Sequence, residues 1–277
     1  MIKQAKQPLL ILTLAALGLC AGAPHTALGA KAAKNKASAG VHPIVTQYGC
    51  VVGGWASGQW MGAEKIEPLV KGGETYAFYS LSKRTASLPG GKPEWDVPGL
   101  VAPFQSYPPG DKYAMGVAAP WNALPRVPKV QSTDQKTYKD EAARILKENG
   151  LGDAPVTITQ VVRMDLEGDG VEEAVIAAMN MRPMPVVTPE KNEYSLVFLR
   201  RIVNGKVQTT LLADMFYPKT DDTIVAEQCR LQGVLDLNGD GVQEIAVYCE
   251  YYEGDGLIVY QVQGGKVTPV VNGGCGV

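Results

Sequence analysis

Histidine is nearly missing, with two in 277 residues, His25 and His42. A serine or cysteine nucleophile needs a base beside it, and a histidine-based zinc centre needs several imidazoles, so most hydrolase chemistries lack their parts. Carboxylate-only catalysis stays open, and whether the chain is an enzyme is undecided, with the balance towards a non-enzyme. Aromatic residues make up 7% and charged residues 19%, the formal net charge is −2, and Lys and Arg nowhere cluster. A nucleic-acid surface needs concentrated positive charge, so that partner class is excluded. Long apolar runs are also lacking. The longest, Leu9 to Leu19, has eleven residues, too few to anchor in a bilayer, and no transmembrane segment is expected in the mature chain.

That run belongs to a leader. Lys3 and Lys6 precede it and Ala21-Gly22-Ala23 follows, which reads as a secretory signal peptide over residues 1–23, with Ala30 as a later cleavage option. Cys20 raises a lipoprotein alternative, but Leu19 stands where lipid processing wants a small side chain. Residues 24–43 carry Lys, Ala, Ser and Gly without apolar periodicity, as a flexible leader would. The mature protein is thus expected in the periplasm or outside the cell. Four cysteines remain there, Cys50, Cys229, Cys249 and Cys275, and an oxidising compartment favours their pairing.

Gly (31) and Pro (19) are abundant and favour turns and short strands over long helices. Residues 44–130 read as a small β-rich unit: short apolar runs broken by Gly and Ser, then a Pro-rich tail from Leu88 to Pro128 expected to be irregular chain wrapped on a surface. A helical patch over Ala63–Glu67 should stop at Pro68. Residues 131–152 predict a helix, with Ser132 or Thr133 as cap, Gln135 completing a capping box, and Tyr138, Ala142, Ile145 and Leu146 as one apolar stripe for packing on a sheet. Gly150 ends it.

Residues 153–277 contain a duplication. A shift of 71 residues lays Asp165–Glu173 (DLEGDGVEE) on Asp236–Glu244 (DLNGDGVQE), with seven of nine positions identical. Each loop lies between apolar runs, and each is followed by a hairpin pattern turning at Asn204-Gly205 or Gly264-Gly265, dipeptides that tolerate positive φ. Each repeat therefore reads as four antiparallel strands. The first holds about eleven extra residues, near Arg182–Asn192. The fold expected is mainly β (α+β): two repeats of four antiparallel strands, each with a β-hairpin loop, one packed helix and the N-terminal β-rich unit.

Alternate positions of a tight loop converge on one point. Asp165, Glu167, Asp169 and Glu173, with the Val171 carbonyl, and Asp236, Asn238, Asp240 and Glu244, with the Val242 carbonyl, offer the hard oxygens that Ca2+ takes. Magnesium is disfavoured by its demand for tight octahedral geometry. An EF-hand is excluded because position 12 is Ile176 or Val247, inside a β-like run. The metal-free alternative is a pair of polar Asp-Gly turns.

Both loops resemble the FG-GAP/VCBS repeat motif, D-x-[DN]-G-D-G-x-x-[DE], over roughly residues 155–277. The resemblance implies two Ca2+ sites with the ligands just named and blades of a β-propeller; two blades cannot close a ring, so a compact pair of sheets is expected. Glu167 departs from the motif's Asp or Asn.

If the strands flanking the second loop pair as a hairpin, Cys229 faces Cys249, which leaves Cys50 for Cys275. Other candidates are a soft-metal trio (Met179, Met181, Met184), a sugar-binding aromatic face (Trp55, Trp60, Tyr248, Tyr251, Tyr252), and the stretch Glu250–Asp255. The functional expectation is an exported calcium-binding β-repeat protein with a binding or structural role, partnered by a cell-surface glycan or protein. One alternative is an envelope enzyme on glycans or peptidoglycan, drawing on Glu64, Glu67, Glu74, Glu94, Asp96 or Asp111. The other is an adhesion module.

Overall fold

The apolar runs AVIAAM, YSLVFL and IAVYC lack the in–out alternation of a half-exposed strand because each is buried on both faces. The computed structural model describes residues 38–97, 99–106 and 114–276. The signal segment, Cys20, His25 and Asp111 lie outside the described residues, as does the leader up to residue 37.

In chain order the elements are β1 (Val41–Thr46), β2 (Val51–Ala56), β3 (Gln59–Gly62), α1 (Ala63–Ile66) with a 3-10 turn (Glu67–Leu69), β4 (Thr75–Tyr79), β5 (Arg84–Pro89), β6 (Glu94–Asp96), β7 (Gly99–Val101), β8 (Met115–Val117) and β9 (Lys129–Val130). Then come α2 (Lys136–Glu148), β10 (Ile158–Met164), β11 (Glu173–Asn180), β12 (Glu193–Val203), β13 (Lys206–Tyr217), β14 (Gln228–Leu235), β15 (Glu244–Tyr251), β16 (Gly254–Gln263) and β17 (Lys266–Gly276). The protein is mainly β, with antiparallel sheets. A six-stranded sheet runs β3-β2-β1-β8-β4-β5, a five-stranded one β13-β12-β11-β10-β9, and a four-stranded one β14-β15-β16-β17. Among the described residues no helix is long and apolar enough to cross a membrane.

The four-stranded sheet lies between the other two. Alternation along its strands sends Ala246, Tyr248, Leu257, Val259 and Val271 into one core with Ile44, Val52, Tyr79 and Met115 of the six-stranded sheet. The intervening residues Leu231, Ile245 and Val247 enter a second core with Met164, Val175 and Val197 of the five-stranded sheet. That sheet's far face carries Ile176, Tyr194 and Phe198, covered by Ala142, Ile145 and Leu146 of α2. The apolar stripe read from the sequence thus finds its sheet. Each fully buried aliphatic or aromatic side chain in these layers contributes roughly 1.5–3 kcal/mol.

Three local expectations need correction. The Pro-rich stretch is not all irregular: the Pro-free segment around Met115–Val117 supplies β8, which sits in the middle of the six-stranded sheet between β1 and β4. Helix α2 starts at Lys136, not after a Ser132 or Thr133 cap. The Ser132 Oγ accepts the Asp134 N–H (3.1 Å) and the Gln135 amide donates to the Ser132 carbonyl (3.0 Å), forming a turn ahead of the helix, and the N-cap Gln135 makes no side-chain cap bond. His42, expected at the end of a flexible leader, is 4% exposed in β1, bonded to the Ala118 carbonyl and the Ser38 Oγ, both at 2.9 Å.

Both hairpin turns occur where Asn204-Gly205 and Gly264-Gly265 stand, with positive φ at all four residues. The unpaired, buried edge of β14 is closed by side chains instead of a strand. Ser195 Oγ accepts the Cys229 N–H (2.7 Å), and the Gln160 amide spans the Leu231 N–H (2.9 Å) and carbonyl (3.1 Å). Such capping keeps an edge from pairing with another chain. Both expected disulfides form, Cys229–Cys249 directly across β14 and β15, and Cys50–Cys275 joining the N-terminal sheet to β17. Two disulfides fit an oxidising compartment.

Candidate metal loops

Each duplicated loop connects two neighbouring strands, β10 to β11 and β14 to β15. In the register, Met164 faces Glu173 and Leu235 faces Glu244. The acid at position 9 therefore opens a strand beside the one that delivers the aspartate at position 1. Gly168 and Gly170, and Gly239 and Gly241, all adopt positive φ, the backbone conformation that L side chains resist.

The two copies then make matching bonds. Asp165 Oδ1 accepts the Gly168 N–H (2.7 Å) and Oδ2 the Gly170 N–H (2.9 Å); Asp236 does the same with Gly239 (2.7 Å) and Gly241 (3.0 Å). Asp169 Oδ1 takes the Val171 N–H (2.9 Å), and Asp240 Oδ1 that of Val242 (2.8 Å). Glu173 Oε2 accepts from Leu166 (3.0 Å) and Glu244 Oε2 from Leu237 (2.8 Å). Asn238 accepts from the Asp240 N–H (2.9 Å) and donates to its carboxylate (3.1 Å), whereas Glu167 is exposed.

The environments differ. Loop one is open: Glu167, Asp169 and Val171 are exposed. Loop two is covered, with Asp236 5%, Asn238 1% and Glu244 0% exposed. Trp121 does much of the covering, packing on Gly239 and donating Nε1–H to the Asp236 carbonyl (2.8 Å), while the Ser38 N–H reaches the Asn238 carbonyl (2.9 Å). The two sequence differences follow this burial. Where loop one has Glu167 and Glu172, loop two has the neutral amides Asn238 and Gln243. Glu172 pairs in the open with Lys129 and Arg163, and Gln243 donates inward to the Val234 carbonyl (2.7 Å). Burying a charge costs several kcal/mol, so the covered copy carries fewer.

The remaining acids of loop two are under electrostatic stress. Burial pushes the Glu244 carboxyl well above its ordinary range, against a smaller pull from the Leu237 N–H, and Asp240 and Asp236 push it further. Burial also raises Asp236. In loop one, burial lifts Glu173 to about 7, with Asp169 and Glu167 adding to the rise. Glu244 Oε1 finds no hydrogen-bond donor among the described residues. A buried carboxylate oxygen left over, beside two further acids, suits a hard cation that takes oxygen ligands. No three acid side chains of either loop lie within 4.8 Å of one another: the one such group of acid, His or Cys atoms among the described residues is Glu227, Cys229 and Cys249, whose sulfurs form the disulfide. In this conformation the aspartates turn their oxygens to backbone N–H groups.

Sequence reasoning missed Arg126, the single arginine between Leu88 and Pro128. Its Nε donates to the Asp165 carbonyl (2.7 Å), and its Nη2 to the carbonyls of Leu166 and Gly241 (both 2.8 Å). The Gln243 N–H also reaches the Leu166 carbonyl (2.9 Å), and its amide reaches the Arg126 carbonyl (3.1 Å). The two loops are therefore neighbours tied through one guanidinium. An isolated arginine in a Pro-rich segment carries no periodicity that would announce this.

Among the described residues, neither the aromatic face nor the acids of the N-terminal unit form one cluster. Trp55 and Tyr248 are buried, Trp55 edge-on to Trp60 and Tyr248 under the Arg230 guanidinium, so the proposed aromatic face is divided, with Tyr251 and Tyr252 paired elsewhere on β15 and its turn. Glu64, Glu94 and Asp96 are exposed, and the partly buried Glu74 accepts the Lys71 N–H (2.8 Å). Met179 lines a groove of about 350 Å³ with Ser80, Ser82, Gln160, Arg230 and Gln232. Compared with models of known families, curated proteins and solved structures, the chain matches none of them.

Proposed function

We propose that this is an exported calcium-binding protein whose two duplicated loops, Asp165–Glu173 and Asp236–Glu244, hold Ca2+ and thereby rigidify a β-repeat scaffold of the FG-GAP/VCBS kind. The observation that carries this reading is Glu244: a fully buried carboxylate with one oxygen unpaired, next to Asp236 and Asp240, in a loop whose duplicate repeats its two aspartates and final glutamate with the same backbone bonds. Asp236, Asn238, Asp240, the Val242 carbonyl and Glu244 would hold one ion, and Asp165, Glu167, Asp169, the Val171 carbonyl and Glu173 the other. The ions supply positive charge for acids that burial and mutual repulsion otherwise disfavour. The consecutive four-stranded meanders, stacked face to face, are the reason to read the repeats as blade-like. The role that follows is structural or binding, in the periplasm or outside the cell.

The test is thermal unfolding with calcium and with EDTA. Calcium at a hundred times its dissociation constant adds about 2.7 kcal/mol per site, and each kcal/mol moves Tm by roughly 2–4 °C in a chain of this size. Removing it should lower Tm by at least several degrees, and Asp240→Ala should abolish much of the difference. Superimposable melting curves in calcium and EDTA would refute the reading.

A further inference from the structure

We propose that the two loops are not independent sites: the covered second loop fills first, and Arg126 passes that order to the exposed first loop. The inference rests on the calcium reading above and concerns its regulation. Three carbonyls on both loops, Asp165, Leu166 and Gly241, converge on one guanidinium. Gly241 is the turn glycine of loop two, with its N–H held by Asp236, and Asp165 is the first ligand of loop one. Gln243 closes the circuit, bonding Leu166 through its backbone and the Arg126 carbonyl through its amide. Fixing Gly241 around an ion thus fixes Arg126, and with it the backbone of loop one at its first ligand. The ordering cost is met once and not twice, which is positive coupling between sites.

Electrostatics do not cancel this. Loop one brings Asp165, Glu167, Asp169, Glu172 and Glu173, and loop two Asp236, Asp240 and Glu244. Glu172 is paired with Lys129 and Arg163, and the other seven acids together outweigh Arg126 and a first ion, so a second cation still enters a negative field. Loop two is enclosed, with its acids preset by Trp121 and the core, and has the character of a permanent structural site. Loop one is open to solvent, and its ligand Glu167 and neighbour Val171 are exposed. It is the conditional site, whose occupancy follows outside calcium once loop two is filled.

Calorimetric titration of the full chain with calcium decides the matter. Asp240→Ala leaves loop one as the functioning site and Asp169→Ala leaves loop two. The expected result is that the wild-type two-site affinity exceeds the product of the two single-loop affinities by about tenfold, within the range usual for coupled sites. Because loop two fills first, the factor falls on the second step: Asp169→Ala should bind at the affinity of the wild type's first step, and Asp240→Ala should bind weaker than the wild type's second step by that factor. Adding Arg126→Gln should bring the factor to one, and Arg126→Lys, which keeps the charge but not the fork, should bring it close to one. A wild-type affinity equal to the product, or a tenfold factor that survives Arg126→Gln, overturns the coupling while leaving two calcium sites. Absence of calcium heat in the wild type overturns the calcium reading itself.

Discussion

Glu244→Gln raises the melting temperature of the calcium-free protein at pH 7 and at the same time removes the stabilisation that calcium brings through the second loop. On the proposed calcium reading the two effects have opposite signs, because the same carboxylate is a burden without an ion and would be a ligand with one. In the calcium-free fold Glu244 is fully buried beside Asp236 and Asp240, and its Oε1 has no donor. Glutamine keeps an oxygen for the Leu237 N–H and removes the carboxyl group that Asp236 and Asp240 disfavour. Removing an acid that the fold must either hold protonated at pH 7 or bury charged is worth several kcal/mol at most, about 5–10 °C at roughly 2–4 °C per kcal/mol. The pH dependence gives an independent check. Glu173, held at about 7 in the fold against an ordinary 4.5, binds its proton more tightly folded than unfolded. The stability it contributes is complete below the unfolded value and is lost as pH rises from 4.5 to 7. Calcium-free wild type should therefore melt lower at pH 7.5 than at pH 5, and calcium, if it binds the ionised acids as proposed, should help more at the higher pH. Glu244→Gln should flatten that slope, since Glu244 titrates in the same direction. A variant that melts below the wild type in EDTA would show that the Glu244 charge is not a burden.

The apolar strand runs, the tight turns and the duplication were legible because each has a local cause. Apolar runs bounded by turn residues, positive-φ dipeptides and a nine-residue loop are written in consecutive residues. The Cys229–Cys249 pairing followed from hairpin arithmetic for the same reason. What was not legible depends on layers meeting. Strand β8 is three residues long, and only its neighbours β1 and β4 make it central. The burial of loop two comes from Trp121 and Ser38, more than a hundred residues away in sequence, and the Arg126 bridge comes from a segment whose prolines hide any pattern. The substitutions of Glu167 by Asn238 and Glu172 by Gln243 were visible, but their meaning needed the knowledge of which copy is covered. His42 shows the same limit: nothing in its neighbours distinguishes a leader from a strand whose second residue bonds the Ala118 carbonyl.

The largest loss of stability from a covalent change should come from removing Cys50–Cys275, and it should exceed that from removing Cys229–Cys249. The chain-entropy argument sets the order. The first bond closes a separation of 225 residues and the second one of 20, so their contributions are about 5 and about 3 kcal/mol. Packing points the same way. Cys229 and Cys249 sit on paired strands that the β14–β15 ladder holds in register with or without the sulfurs. Cys50 and Cys275 lie in the core shared by the six- and four-stranded sheets, and β17 meets β2 so closely that a side chain on Gly273 would strike the Val52 carbonyl. That contact has no hydrogen-bonded ladder behind it, so the bond is the covalent tie between two faces that otherwise associate by burial alone. Urea unfolding of Cys50→Ala/Cys275→Ala and of Cys229→Ala/Cys249→Ala, both in saturating calcium, measures the difference. Equal midpoints, or a larger loss for the pair on β14 and β15, would mean that the sheets are joined by their packed core and not by the long-range bond.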